Sequence, residues 1–325
     1  MSDTPTPVSP EHRPPVDDRP LVIAHRGSSG AYAENTRAAF LHALAEGADG
    51  VEVDVHLTRD RHLVCLHDAT LERTTNGSGA VSDHTLAQLR RLDVHSWKGA
   101  RLPGDYGPPS AQLLTLPELV DLLVAAGRPV RLAVELKHPS PFGHELEERA
   151  LAALFAAGWD PETSRVGAVE VSFMSFYPGS LQYLAPIAGT DHLCQLLTVV
   201  PREPVPSRFS LGPLSRAAVR ATLRQAVADA ERLVREGRTG MAGPGVAYVR
   251  RHLADVKAWH AAGRRLRVWT ADRPADVELL RGLGVQEITT NLPARVLAQL
   301  AARPAPVAEA LSGPHVAGYA TAGRR

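Results

Sequence analysis

Apolar residues recur along this chain in short runs with two different spacings. Runs at 21–25, 50–57, 130–137, 166–173, 192–200, 246–249, 266–270 and 286–290 have the length and apolar content of strands, the one at 246–249 being the weakest. Segments at 35–46, 116–126, 145–157, 215–236, 251–262, 275–283 and 294–302 read as helices. The longest, 215–236, sets Val219, Leu223, Val227, Ala230 and Val234 on one face. A further apolar run at 62–66 follows 50–57 closely enough to be the second arm of a hairpin. With that arm set aside, eight strands follow a repeated βα order over roughly 250 residues, as in a closed parallel (β/α)8 barrel. An open doubly wound sheet is the structural rival. The pattern is least regular over 201–249, where Pro201, Pro204, Pro206, Pro213 and Pro244 interrupt it and an irregular loop is expected.

Alternation within the strands sorts their side chains. Successive residues of a barrel strand point in turn to the helix layer and to the axis. Val51, Val53 and Val55 then face the helices, and Glu52, Asp54 and His56 face the axis. In the next strand Leu132, Val134 and Leu136 face outward, while Arg131, Ala133, Glu135 and Lys137 face inward. Glu135 and Lys137 should therefore approach Glu52 and Asp54 at the mouth, where barrel active sites sit. His25 ends the first run and His67 follows the hairpin arm, so two imidazoles stand at strand ends.

Composition narrows the picture mainly by exclusion. A chain of 325 residues suffices for one large α/β domain or two modest ones. Its 36 basic and 35 acidic residues leave a formal net charge of +1, with no electrostatic footprint for nucleic acid. No apolar stretch reaches the 18 residues of a membrane span. Cys65 and Cys194 sit in apolar runs and read as buried thiols. Residues 1–19 are rich in Pro and charge, lack an apolar signal region and read as a disordered leader, which makes the cytoplasm the default location. Residues 303–325 read as a loose tail, leaving 20–302 as the folded domain.

Glu52, Asp54 and Glu135 would bring three carboxylates into one site, where they would repel and raise one another's pKa values. A divalent cation removes that conflict, and all-oxygen ligation favours Ca²⁺ or Mg²⁺ over zinc. Alternatively the acids are ordinary strand residues paired with Arg131 and Lys137, although acids inside an all-Val run need a strong reason to be there. His25 and His67 are the acid/base candidates. Arg26 and Lys137 supply positive charge for a phosphate, or else simple salt bridges to the same acids. His12, His84, His252 and His315 lie in polar surroundings and look solvated. Gly27-Ser28-Ser29-Gly30 lacks the spacing of a dinucleotide loop, and Gly77 and Gly79 read as turn residues at the site rim.

These residues, in this order, resemble the glycerophosphodiester phosphodiesterases. The resemblance rests on His-Arg-Gly at 25–27, Ala-Glu-Asn-Thr at 33–36, Gly-Ala-Asp-Gly-Val-Glu-Val-Asp-Val-His-Leu-Thr at 47–58 and His-Asp-Ala-Thr-Leu-Glu-Arg-Thr-Thr-Asn-Gly at 67–77. It continues through Leu-Pro-Glu-Leu at 116–119, Glu-Leu-Lys at 135–137, Ser-Phe at 172–173, Val-Trp-Thr at 268–270 and Thr-Asn-Leu-Pro at 290–293, and so spans about 20–302. It implies a TIM barrel with a small insertion over the site at 68–114. It implies metal-dependent hydrolysis of a small-molecule glycerophosphodiester to glycerol 3-phosphate and an alcohol. His25 and His67 would be the catalytic pair, Glu52, Asp54 and Glu135 the metal ligands, and Arg26 and Lys137 the phosphate contacts. Trp269 would line the glycerol or headgroup side. The 190–250 stretch is longer and more Pro-rich than the resemblance leads one to expect, which leaves the headgroup open. Two other readings are a lysophospholipase D-like activity, with 201–249 forming an acyl groove, and a catalytically silent phosphodiester-binding protein. The intact set of two histidines and three acids argues against the second.

Overall fold

Val51, Val53 and Val55 lie fully buried against Leu132, Val134 and Leu136 and the helices outside them, as the alternation predicts. The computed structural model describes residues 19–200 and 213–302, with side chains from residue 219 onward in the second segment. The expected leader, apart from Arg19, and the expected tail lie outside the described residues. Arg19 pairs with Asp49 at 2.7 Å.

Eight parallel strands close into a barrel: β1 Leu21–His25, β2 Gly50–Leu57, β3 Val130–Leu136, β4 Val169–Ser175, β5 Leu193–Leu197, β6 Met241–Pro244, β7 Arg265–Val268 and β8 Glu287–Thr290. Each pairs with its neighbours in sequence, and β1 pairs with both β2 and β8, which rules out the open sheet. Two apolar layers fill the space between strands and helices, one around Val53, Val134 and Phe173 and the other around Val22, Val268 and Ile288. Inside the barrel, Ala133, Met174, Cys194, Leu196 and Met241 form a small apolar cluster. Towards the strands' N-terminal ends the interior turns ionic. Buried Arg267 donates to Glu287 at 2.5 Å and to Ser172 at 3.0 Å, and Arg131 pairs with Glu170 and Glu287.

After β2 the chain turns back in a short antiparallel arm, Leu63–Cys65, and then makes an irregular excursion before the helix Leu116–Val124. The excursion carries its own core of Val64, Leu66, Leu71, Val81, Leu89, Val94 and Leu113. Both cysteines are free and buried, as expected.

Three sequence expectations need correction. The weak strand at 246–249 is part of a helix, Val246–Arg251, and the strand lies just before it at Met241–Pro244. That strand has no periodic apolar signal because the barrel interior wants small residues there: a Cβ on Gly243 would lie 2.8 Å from Cys194 Sγ. The run 166–173 is not one strand either. Arg165–Val166 folds back antiparallel on β4, with Gly167 at φ +55° making the turn. The 201–249 stretch is not wholly irregular, since it contains the helix Pro213–Arg235, although 201–212 lies outside the described residues. Only the C-terminal part of that helix's apolar stripe, Val227, Ala230 and Val234, reaches the core; Val219 and Leu223 are exposed.

Candidate active site

The turn after β1 depends on two consecutive left-handed residues, Arg26 at φ +59° and Gly27 at φ +75°. Only glycine fits the second position, because a Cβ there would meet the Ala39 backbone at 2.5 Å. The turn points the Arg26 amide at Glu52 Oε2 (2.9 Å) and swings the guanidinium across the mouth. Its Nε lies 3.0 Å from Asp54 Oδ2, and its Nη1 donates to Glu34 Oε1 at 2.8 Å.

Register does the rest. Glu52 sits beside His25 on β1, and Asp54 beside Glu135 on β3. All three acids are buried, with one oxygen from each lying within 4.8 Å of the others. Lys137 Nζ bridges Asp54 Oδ1 (2.9 Å) and Glu135 Oε1 (2.7 Å). Asn35, also left-handed, donates to Asp54 Oδ2 at 2.9 Å. Glu52 Oε1 is buried with no hydrogen-bond partner among the described residues. Arg131, one of the two partners that would have made these ordinary ion pairs, is engaged elsewhere in the barrel.

The charges do not balance. Three carboxylates face two cations, Arg26 and Lys137. Burial works against ionising Asp54, but Lys137 and Arg26 outweigh it and hold its pKa low. Glu52 is pushed well above the usual range by burial and by the Asp54 charge. Glu135 is pushed up to about 7 by burial and Asp54, against the pull of Lys137. A buried cluster of hard oxygens, one of them unpartnered, fits a hard divalent cation.

The two histidines flank this cluster, and each has Nδ1 tied back. His25 Nδ1 lies 2.8 Å from Asn291 Oδ1, and His67 Nδ1 lies 2.6 Å from Asp68 Oδ1. Burial and the Arg26 charge lower the His25 pKa to about 4. Burial also lowers that of His67, with Asp54 and Asp68 pulling the other way. His56, which the alternation also turned inward, is held at Nε2, 3.1 Å from the His67 carbonyl oxygen. Trp269 stands apart from this network. It donates Nε1 to Gly243 O at 2.7 Å, and its ring meets Phe176 edge-on at 5.6 Å.

Several contributing residues received no role from the sequence: Glu34, Asn35, Asp68, Arg73, Asp272 and Asn291. All but Asp272 fall within the quoted motifs, so a signal was present. What was missing was the partner of each.

Fold and site together define a barrel enzyme with an imidazole pair beside an all-oxygen cluster built for positive charge. Residues 25–295 match the model of the glycerophosphoryl diester phosphodiesterase family. The chain is 38% identical over 284 residues to the "Probable glycerophosphodiester phosphodiesterase 1" of Mycobacterium tuberculosis, covering 86% of this chain and 92% of that protein. It is 29% identical to a glycerophosphodiester phosphodiesterase of Bacillus subtilis, covering 85% of each. Among solved structures, a phosphodiesterase of Oleispira antarctica in complex with the product sn-glycerol-3-phosphate superposes with a TM-score of 0.65 at 23% identity, over 87% of this chain and 97% of that one. The chain belongs to the glycerophosphodiester phosphodiesterase family and is a phosphoric diester hydrolase. No helix among the described residues is long and apolar enough to cross a membrane.

Proposed function

We propose that the protein hydrolyses small glycerophosphodiesters to glycerol 3-phosphate and an alcohol, with Glu52, Asp54 and Glu135 holding one divalent cation and His25 and His67 acting as the acid/base pair. The observation that carries this reading is the buried three-carboxylate cluster with its unpartnered Glu52 oxygen, set between two histidines at a barrel mouth. Its charge suits the substrate. The cluster with Arg26 and Lys137 is short of one positive charge. A divalent cation held by the three acids would offset their charge and stand with Arg26 and Lys137 to receive the single negative charge of a phosphodiester.

When bound, Ca²⁺ or Mg²⁺ supplies Lewis acidity and a template for the phosphate and glycerol oxygens. Arg26 and Lys137 offset charge that builds on the phosphoryl oxygens. With Nδ1 of each ring held from behind, Nε2 is the nitrogen left for proton transfer. One histidine removes the proton of the attacking hydroxyl, which is water or the neighbouring glycerol hydroxyl; on the second route a cyclic phosphate forms and a water then opens it to glycerol 3-phosphate. The other returns a proton to the leaving alkoxide as its P–O bond breaks. The rim residue Trp269 would line the glycerol or headgroup side.

The bound product in the Oleispira structure supports an orientation in which phosphate stays on glycerol. A glycerol 3-phosphate dehydrogenase-coupled assay on glycerophosphocholine tests it, with glycerol 3-phosphate and choline expected. Release of phosphocholine would reverse the orientation. Turnover of lysophospholipids without any deacylated diester would favour the lysophospholipase D-like activity instead.

A further inference from the structure

Arg73 belongs to the excursion, not to the barrel, and its guanidinium donates to two carboxylates. Nε donates to Asp68 Oδ2 at 2.6 Å and Nη2 to Asp68 Oδ1 at 2.9 Å. Nη1 donates to Glu34 Oε2 at 2.8 Å and Nη2 to Glu34 Oε1 at 2.7 Å. Each acid passes the contact inward. Asp68 Oδ1 meets His67 Nδ1 at 2.6 Å, and Glu34 Oε1 accepts from Arg26 Nη1 at 2.8 Å. Arg26 in turn reaches Asp54.

We propose that Arg73 is a positioning residue for the reaction, fixing His67 through Asp68 and Arg26 through Glu34. The inference rests on the functional reading above. Among the described residues each carboxylate has two side-chain partners, Arg73 and one site residue. Without Arg73, Asp68 and Glu34 would be free to rotate towards solvent, and the His67 ring and the Arg26 guanidinium they hold would follow. Arg73 is 45% exposed, so its removal opens no core cavity. Its backbone is placed by Leu71, which is buried in the excursion's own core, and by the Thr75 amide donating to Leu71 O at 3.1 Å. The excursion thereby becomes part of the site. A lysine would not substitute, because one ammonium cannot present the planar fork that both carboxylates accept.

Kinetics of Arg73→Met, Arg73→Lys, His67→Ala and the double variant Arg73→Met/His67→Ala test this, together with ¹H–¹⁵N spectra of the His67 ring. Arg73→Met should lower kcat by about 10–100-fold, the range usual for groups that orient active-site ligands. Arg73→Lys should behave much like it, and millimolar guanidinium should restore part of the Arg73→Met loss where urea does not. In the His67→Ala background the same change should cost kcat clearly less than it does in the wild type, because only the route through Glu34 and Arg26 is left to act. The Nδ1 proton signal of His67 should weaken or move in Arg73→Met. Equal kcat losses in both backgrounds, or an unchanged His67 signal, would overturn the proposal. If the wild-type protein turned over no glycerophosphodiester, the functional reading would fail, and the ring spectra would still decide the positioning role.

Discussion

Asn291 turns its amide oxygen, not its nitrogen, towards His25, and Asp272 is the reason. Asp272 accepts the Asn291 side-chain NH₂ at 2.6 Å and its backbone N–H at 2.8 Å, leaving Oδ1 to face His25 Nδ1 at 2.8 Å. An amide oxygen only accepts, so the His25 proton sits on Nδ1 and the lone pair on Nε2.

A carboxylate in place of that amide should favour the charged ring. In Asn291→Asp, the acid limb of the kcat/KM profile should move to higher pH than in the wild type, whose His25 pKa is lowered to about 4. Asn291→Leu, which leaves Nδ1 unpaired, should lower kcat by about 10–100-fold. pH–rate profiles of the three proteins read this, and superimposable acid limbs in the wild type and Asn291→Asp would contradict the tautomer argument.

Metal dependence is expected from the unbalanced acids. EDTA should abolish turnover, and Ca²⁺ or Mg²⁺ should restore it. Glu52→Gln removes the carboxylate whose oxygen has no protein partner and should weaken cation binding in calorimetric titrations. Full activity after exhaustive chelation would show that Lys137 and Arg26 suffice.

His67→Ala should cost roughly 10²–10⁴-fold in kcat with cation binding and melting temperature nearly unchanged. The bell-shaped pH profile should lose one limb. Near-normal kcat in this variant would exclude the two-histidine mechanism.

Acid should loosen the excursion before the barrel. Arg73 hydrogen bonding holds the Asp68 pKa at about 2, against an ordinary value of 3.8. The folded state therefore binds this proton more weakly than the unfolded chain. The stabilisation from the pair is complete above about pH 4 and is lost as pH falls towards about 2. Hydrogen exchange over 68–112 should rise across that window in the wild type, and should already be raised at neutral pH in Asp68→Asn. Flat exchange in both would show that the pair contributes nothing to local stability.

Much of the site was legible because it obeys the shortest period in the chain. Alternation along 50–57 and 130–137 is a local property, so it set Glu52, Asp54, Glu135 and Lys137 on the inner face before any fold was known. The βα order and the strand-end histidines followed from equally local signals. Three things could not be read this way. Met241–Pro244 pairs as a barrel strand because its neighbours need small residues, not because it is periodic. Arg131 points inward as expected, yet its partners are Glu170 and Glu287, chosen by how strands 1 to 8 are staggered around the barrel. The supports of the two histidines join residues 67 to 68, 73 and 34, and 25 to 291 and 272. The links from 67 to 68 and on to 73 are local, but those from 73 to 34 and from 25 to 291 span separations that carry no period. Barrel closure decides them, because it alone sets the end of β8 beside the end of β1 and brings the excursion back over the mouth.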